Sequence, residues 1–252
     1  MKVIRHLLMF GLLALLAVVV LQLYFAARIG LMAYVNPEST AFQRTEAWRV
    51  ARRTGNLPWR QQWVPYTQVS DNLKRAIIAS EDASFTVHDG VDMDALEKAW
   101  AKNQTADEQA AQWASRPAVR GNASAMPRPA KIVGGSTITQ QLAKNLFLSG
   151  ERTLARKGQE LLLTLMLENL LDKQRILEIY LNHVEWGEGV FGAEAAAQHY
   201  YRKPASRLNA AEAARLAVML PRPRYFETHL GSAYLAARAR TISARIGSAE
   251  LP

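Results

Sequence analysis

No cysteine occurs in the 252 residues. A disulfide-held scaffold and a thiolate zinc site are therefore excluded. Acidic residues are sparse, 22 Asp plus Glu against 31 Lys plus Arg, which leaves a formal charge of +9. His183, His199 and His229 stand too far apart in sequence for a local metal motif. There is no zinc-finger spacing, no helix-turn-helix signature, no Walker loop, no internal repeat and no alternating strand series. A basic chain without those signals has three candidate partners: nucleic acid, anionic lipid or a phosphorylated substrate.

Charge is also missing from one long stretch. Residues 6–27, HLLMFGLLALLAVVVLQLYFAA, hold no Asp, Glu, Lys or Arg. As a helix, 22 residues reach roughly 33 Å, enough for a hydrocarbon core of about 30 Å. Lys2 and Arg5 precede the run and Arg28 ends it. That asymmetry predicts a cytoplasmic N-terminus with the rest of the chain outside the inner (cytoplasmic) membrane. A signal peptide has a shorter apolar core, about 7–15 residues. Here apolar character continues past Arg28 through Ile29, Leu31, Met32, Tyr34 and Val35. The expectation is an uncleaved single-pass anchor. A tethered domain outside the membrane favours anionic lipid or a phosphorylated substrate, and no nucleic acid.

The remaining chain reads as mostly α, with apolar residues at three- and four-residue spacing. Helices are expected over 71–80, 92–102, 137–147, 153–171, 173–182, 190–200 and 209–220, with a weaker one over 230–247. Residues 103–130 are rich in Ala, Gln, Ser and Pro. They read as a loop or lid, with a short helix around 105–115. The organisation is a cytoplasmic tail over 1–5, the anchor over 6–27, a membrane-proximal linker and start of a small lobe over 28–64, a core over 65–225 and a helical tail over 226–252.

Three polar segments could carry chemistry. Glu81 closes the first domain helix, with Phe85 and His88 shortly after it. A carboxylate beside aromatic residues can hold its proton more tightly and exchange it with a substrate. An ordinary helix-end cluster would look the same. In GGSTITQQLAKN, 134–145, Ser136 or Thr137 can cap a helix whose first free N–H groups attract phosphate. Gln140 and Lys144 lie four apart, so they share a face. ERTLARKGQE, 151–160, puts Arg152, Arg156 and Glu160 on one face. Two arginines can clamp phosphates while a carboxylate works nearby. The bland reading is a surface ion pair.

Together these segments resemble the glycosyltransferase family 51 enzymes that polymerise peptidoglycan. EDASFTVHDG at 81–90 is similar to that family's E-D-x-x-F-x-x-H-x-G pattern, and GGSTITQQLAKN to its second segment. RKGQE at 156–160 and KQRILEIYLN at 173–182 resemble the third and fourth. The resemblance implies a lysozyme-like, two-lobed helical domain without a transpeptidase domain. It implies lipid II and a growing lipid-linked glycan strand as substrates, with Glu81 as base and Glu160 as the second essential carboxylate. Ser136, Lys144 and Arg152 would bind diphosphate, supported by His88, Gln140 and Arg156. It implies no organic cofactor, room for a divalent cation such as Mg2+ at Glu160, and other cell-wall synthesis proteins as partners. Gln159 stands where some relatives carry Lys. A lysozyme-like lytic enzyme would need no diphosphate clamp. A non-enzymatic membrane-tethered cell-wall scaffold would leave the polar segments without a role.

Overall fold

The computed structural model describes residues 2–56, 58–114, 135–148 and 153–252. The chain begins with α1, Lys2–Leu31, followed by α2, Ala41–Thr54, and the two-residue strand β1, Arg60–Gln61. Then come α3 (Asp71–Glu81), α4 (Met93–Ala114), α5 (Ile138–Phe147), α6 (Leu154–Leu170) and α7 (Lys173–His183). Strands β2 (Glu185–Gly187) and β3 (Val190–Phe191) precede α8 (Ala193–Tyr201), α9 (Ala210–Met219), α10 (Pro223–Glu227) and α11 (Ala233–Ser243). The architecture is mostly α.

Helix starts are set locally. The side chains of Ser70, Thr137, Thr153, Asp172 and Asn209 each accept a backbone N–H in the first turn of α3, α5, α6, α7 and α9. Each such cap is worth about 1 kcal/mol. The apolar stripes then meet in one core. Leu73 and Ile77 of α3, Leu142 of α5, Leu163 and Leu167 of α6, and Ile176 of α7 are fully buried. Trp186 is buried with them and donates its indole N–H to the Leu216 carbonyl at 3.0 Å. Burying each aliphatic side chain contributes about 1.5–3 kcal/mol.

Four expectations change. The helix expected over 6–27 is longer and runs unbroken from Lys2 through Arg28 to Leu31. Residues 41–54, within the stretch expected as linker and start of a small lobe but with no helix expected there, form α2. Thr40 and Gln43 close a capping box at its start, and Gly55 ends it at φ 69°. Within the expected loop 103–130, the short helix expected around 105–115 is not separate: residues 103–114 continue α4. Their Ala, Gln and Glu content favours a helix, and no Gly or Pro interrupts it before Pro117. The rest of that expected loop, 115–130, lies outside the described residues.

The fourth change is a small sheet of order β1-β3-β2. β1 runs parallel to β3, pairing Arg60 with Val190 and Gln61 with Phe191, and β2 runs antiparallel to β3. Val190 and Phe191 were expected to begin a helix, but Gly192 at φ 85° separates them from α8. Strands this short carry no readable alternation.

Candidate active site

Glu81 is the last residue of α3 and stands partly exposed. One of its carboxylate oxygens accepts a hydrogen bond from Gln141 Nε2 at 3.0 Å. Gln141 Oε1 in turn accepts from the Tyr180 hydroxyl at 3.0 Å. Tyr180 is 1 % exposed, and burial pushes its phenol well above its ordinary value, so it stays a donor. This fixes the amide's orientation and hence the carboxylate's. Burial also raises the Glu81 pKa; hydrogen bonds from Gln141 and Ser80 oppose that, Asp82 adds to it, and the charge of Arg238 opposes it. The result is a carboxyl with a raised proton affinity and one fixed oxygen.

Asp82, the next residue, is built in from both sides. Its Oδ1 lies 2.8 Å from His88 Nε2, and its Oδ2 accepts the Ile138 N–H at 2.9 Å. The Gly90 N–H donates to His88 Nδ1 at 3.1 Å, so the ring's proton belongs on Nε2, facing Asp82. His88 therefore braces Asp82 and not Glu81. Asp82 in turn ties the end of α3 to the start of α5. Gly90 is required here: it sits at φ 88°, and a Cβ would stand 2.7 Å from Thr164 Cγ2 on α6. Thr137 Oγ1 donates to the Gly90 carbonyl at 2.6 Å, holding the two motif segments together.

Thr137, not Ser136, caps α5. Gln140 closes the capping box: its side-chain oxygen accepts the Thr137 N–H at 3.2 Å. Its amide thus serves the helix start, while the neighbouring Gln141 reaches Glu81. The signal in the sequence was the capping box: with Thr137 as N-cap, Gln140 stands at the third helical position and is committed to the helix start.

Two clefts flank the Glu81–Gln141 bond. One, of about 620 Å³, is lined by Glu81, Asp82, Ser136 and Thr137, with Lys98 and Arg245. The other, of about 510 Å³, is lined by Gln141, Lys144, Arg156 and Tyr180, with Glu46 and Glu185. Ser136 thus shares a cleft with Glu81, while Lys144 and Arg156 share the second. Lys144 is exposed. The flanking protein lowers its proton affinity by desolvation, which Glu160 opposes and the charges of Arg156 and Lys157 reinforce.

Arg156 and Glu160 form the predicted pair, Nη1 to Oε2 at 2.9 Å, and Lys157 holds the other oxygen. With Glu160 only 4 % exposed, this is no surface pair. Arg152 lies outside the described residues. Among the described residues, no group of three or more His, Asp or Glu could hold a metal ion. Both Glu160 oxygens already carry a cationic partner, so these residues do not fit a divalent ion without displacing one of them.

Chemically, the site pairs a proton-accepting carboxylate on one side with a cationic wall on the other. That suits removal of a hydroxyl proton opposite an anionic leaving group. A family model described as Transglycosylase matches residues 50–116 and 117–246. A biosynthetic peptidoglycan transglycosylase of Burkholderia orbicola (strain MC0-3) is 56 % identical over 231 residues, covering 92 % of this chain and 85 % of that one. One of the same description from Burkholderia multivorans (strain ATCC 17616 / 249) is 55 % identical over the same coverage. The chain belongs to the transglycosylase family and is a peptidoglycan glycosyltransferase.

Proposed function

We propose that the protein polymerises lipid II into glycan strands, with inversion at the donor sugar. The observation that carries this reading is Glu81, fixed by Gln141 between the two clefts with its proton affinity raised. In the proposed step the acceptor's GlcNAc 4-hydroxyl oxygen attacks C1 of the donor MurNAc while its proton passes to Glu81. The bond from C1 to the diphosphate oxygen breaks. A β-1,4 bond forms, and undecaprenyl diphosphate leaves with the bonding pair.

Lys144 and Arg152 are assigned to the diphosphate, with Arg156 beside Lys144 in the same cleft; Ser136, assigned to it too, would have to reach it from the Glu81 cleft. Glu160 keeps Arg156 and Lys157 in place on the leaving-group side. His88 and Gln140 support the site from behind, through Asp82 and through the start of α5. Purified protein incubated with lipid II is expected to give a polymer ladder on a gel that muramidase destroys. Removing both charges, Lys144→Ala with Arg152→Ala, should weaken lipid-diphosphate binding more than neutral-glycan binding. Each lost charge-assisted contact is worth about 1.5–3 kcal/mol. Equal lipid-diphosphate affinity in that double variant, or release of muropeptides with no polymer formed, would count against the reading.

The proposal also places α1 across the cytoplasmic membrane, with the domain on its outer face. The helix has a mean hydropathy of 2.6 over its most apolar window, and none of that window is buried in the protein. Full-length protein is expected to stay with membranes through a high-salt wash, because salt screens surface charge but not a buried apolar helix. External protease should remove the domain and spare the N-terminus. A soluble form beginning near residue 28 would contradict this placement.

A further inference from the structure

We infer that Gln22 of α1 and Gln159 of α6 are a positioning pair that fixes the register between the anchor helix and the helix carrying the cationic clamp. The inference rests on the reading of α6 as the diphosphate-side helix.

Residues 2–21 of α1 are exposed along their whole length. Contact with the domain begins at Gln22 and continues through Phe25, Ile29 and Met32, which fall on one stripe at spacings of three, four and three. After that first member the contact is largely apolar, with Arg175 Nε of α7 donating to the Met32 carbonyl at 2.8 Å. Phe25 meets the Phe147 ring edge-on at 5.3 Å, and the Arg28 guanidinium lies 5.5 Å from the same ring. Ile29 is fully buried.

Apolar contacts between two helices tolerate small slides and rotations. A reciprocal amide pair does not. Gln22 Nε2 donates to Gln159 Oε1 at 3.0 Å, and Gln159 Nε2 donates back to Gln22 Oε1 at 3.1 Å. Among the described residues these two are the only side-chain hydrogen bonds between α1 and α6. Leu161, Leu162 and Leu165 follow on α6 as exposed apolar residues, so little nearby protein offers either amide another partner. A polar pair satisfied at one register is how a buried Asn fixes alignment in a coiled coil. Neither amide titrates near neutral pH, so the lock holds across that range.

Its location gives the lock a consequence for the reaction. Gln159 immediately precedes Glu160, and Lys157 and Arg156 lie within the same turn. Rotating or sliding α6 at Gln159 moves all three. These groups form the diphosphate side of the site, so a shift in their position loosens the diphosphate's charge-assisted contacts and weakens binding. α1 is thus a reference rod for the clamp as well as a tether.

The test uses full-length protein in liposomes, a fluorescent polyprenyl diphosphate as binding probe and lipid II for turnover. Gln22→Leu keeps the side chain's bulk and the helix's apolar character. It is expected to raise the probe's Kd and the KM for lipid II about 10-fold, the whole fall in kcat/KM arising from KM. Moving the amide one position, Leu21→Gln with Gln22→Leu, should not restore binding, because it turns the amide about 100° away. The exchanged pair Gln22→Glu with Gln159→Lys should restore Kd to within about threefold. Unchanged Kd and KM in Gln22→Leu would overturn the inference. A lowered melting temperature with unchanged Kd would overturn it too, as that is the signature of a packing role alone. If wild type binds the probe but makes no polymer, the polymerase reading fails while the Kd comparison still decides the positioning role.

Discussion

Glu81→Gln is expected to lower polymer formation at least about 100-fold, the lower bound for losing a general base. The variant should fold as well as the parent, or better. The Glu81 carboxyl has its pKa raised above the ordinary 4.5, chiefly by burial. Below the unfolded value both states hold the proton, and ionisation costs the fold nothing. As pH rises through the folded pKa the carboxyl must ionise in a poorly solvated place, and that part of the stability is lost. Glutamine never ionises, so its melting temperature should match or exceed wild type near neutral pH, with the gap closing toward pH ~4. Its amide oxygen can still accept from Gln141. Wild-type turnover should rise with pH through the same raised pKa, because the base works only when deprotonated. Near-normal polymer yield from Glu81→Gln would remove the residue from the mechanism.

Asp82→Ala should have the largest effect on stability. It strips the acceptor from His88 Nε2 and from the Ile138 N–H at once, both in the interior. Each orphaned donor costs about 1–3 kcal/mol, so the sum is roughly 2–6 kcal/mol. At about 2–4 °C per kcal/mol for a domain of this size, melting should fall by on the order of 10 °C. The loss should extend to activity, because the carboxylate joins the end of α3, where Glu81 sits, to the start of α5, where Gln141 sits. Asp82→Asn keeps one acceptor oxygen and should fall between. Calorimetry on the three proteins checks the order, and an alanine variant melting with wild type would refute it.

Much of this was legible because its causes are local. α5, α6, α7 and α9 announce themselves by a capping residue followed by a three-four apolar spacing. The Arg156–Glu160 pair follows from helical geometry alone. α2 was not seen, although Thr40, Gln43 and Gly55 spell its start and stop. Its four arginines and lone exposed Trp48 hide the apolar stripe. The partner of Glu81, Gln141, was not identified for another reason. Two adjacent glutamines have the same chemistry, and Gln140 is taken by the capping box at the start of α5, which leaves Gln141 for the carboxylate. Tyr180 lies 99 positions from Glu81, and no local pattern joins them.

The small sheet has a consequence for how the chain matures. β1 at Arg60–Gln61 pairs with Val190–Phe191, and Asn182 grips the Val64 backbone through both its N–H and its C=O, at 2.9 and 3.0 Å. These partners lie about 120–130 residues apart in sequence, so the first contact must wait for the second to be synthesised. At about 5–20 residues per second, that wait is on the order of ten seconds. α1 has left the ribosome well before then, while residues 58–64 still lack their partners. Such a long interval favours slow completion of the fold and exposes unpaired backbone meanwhile. The nascent chain is therefore most vulnerable to proteolysis before its own residue 191 emerges.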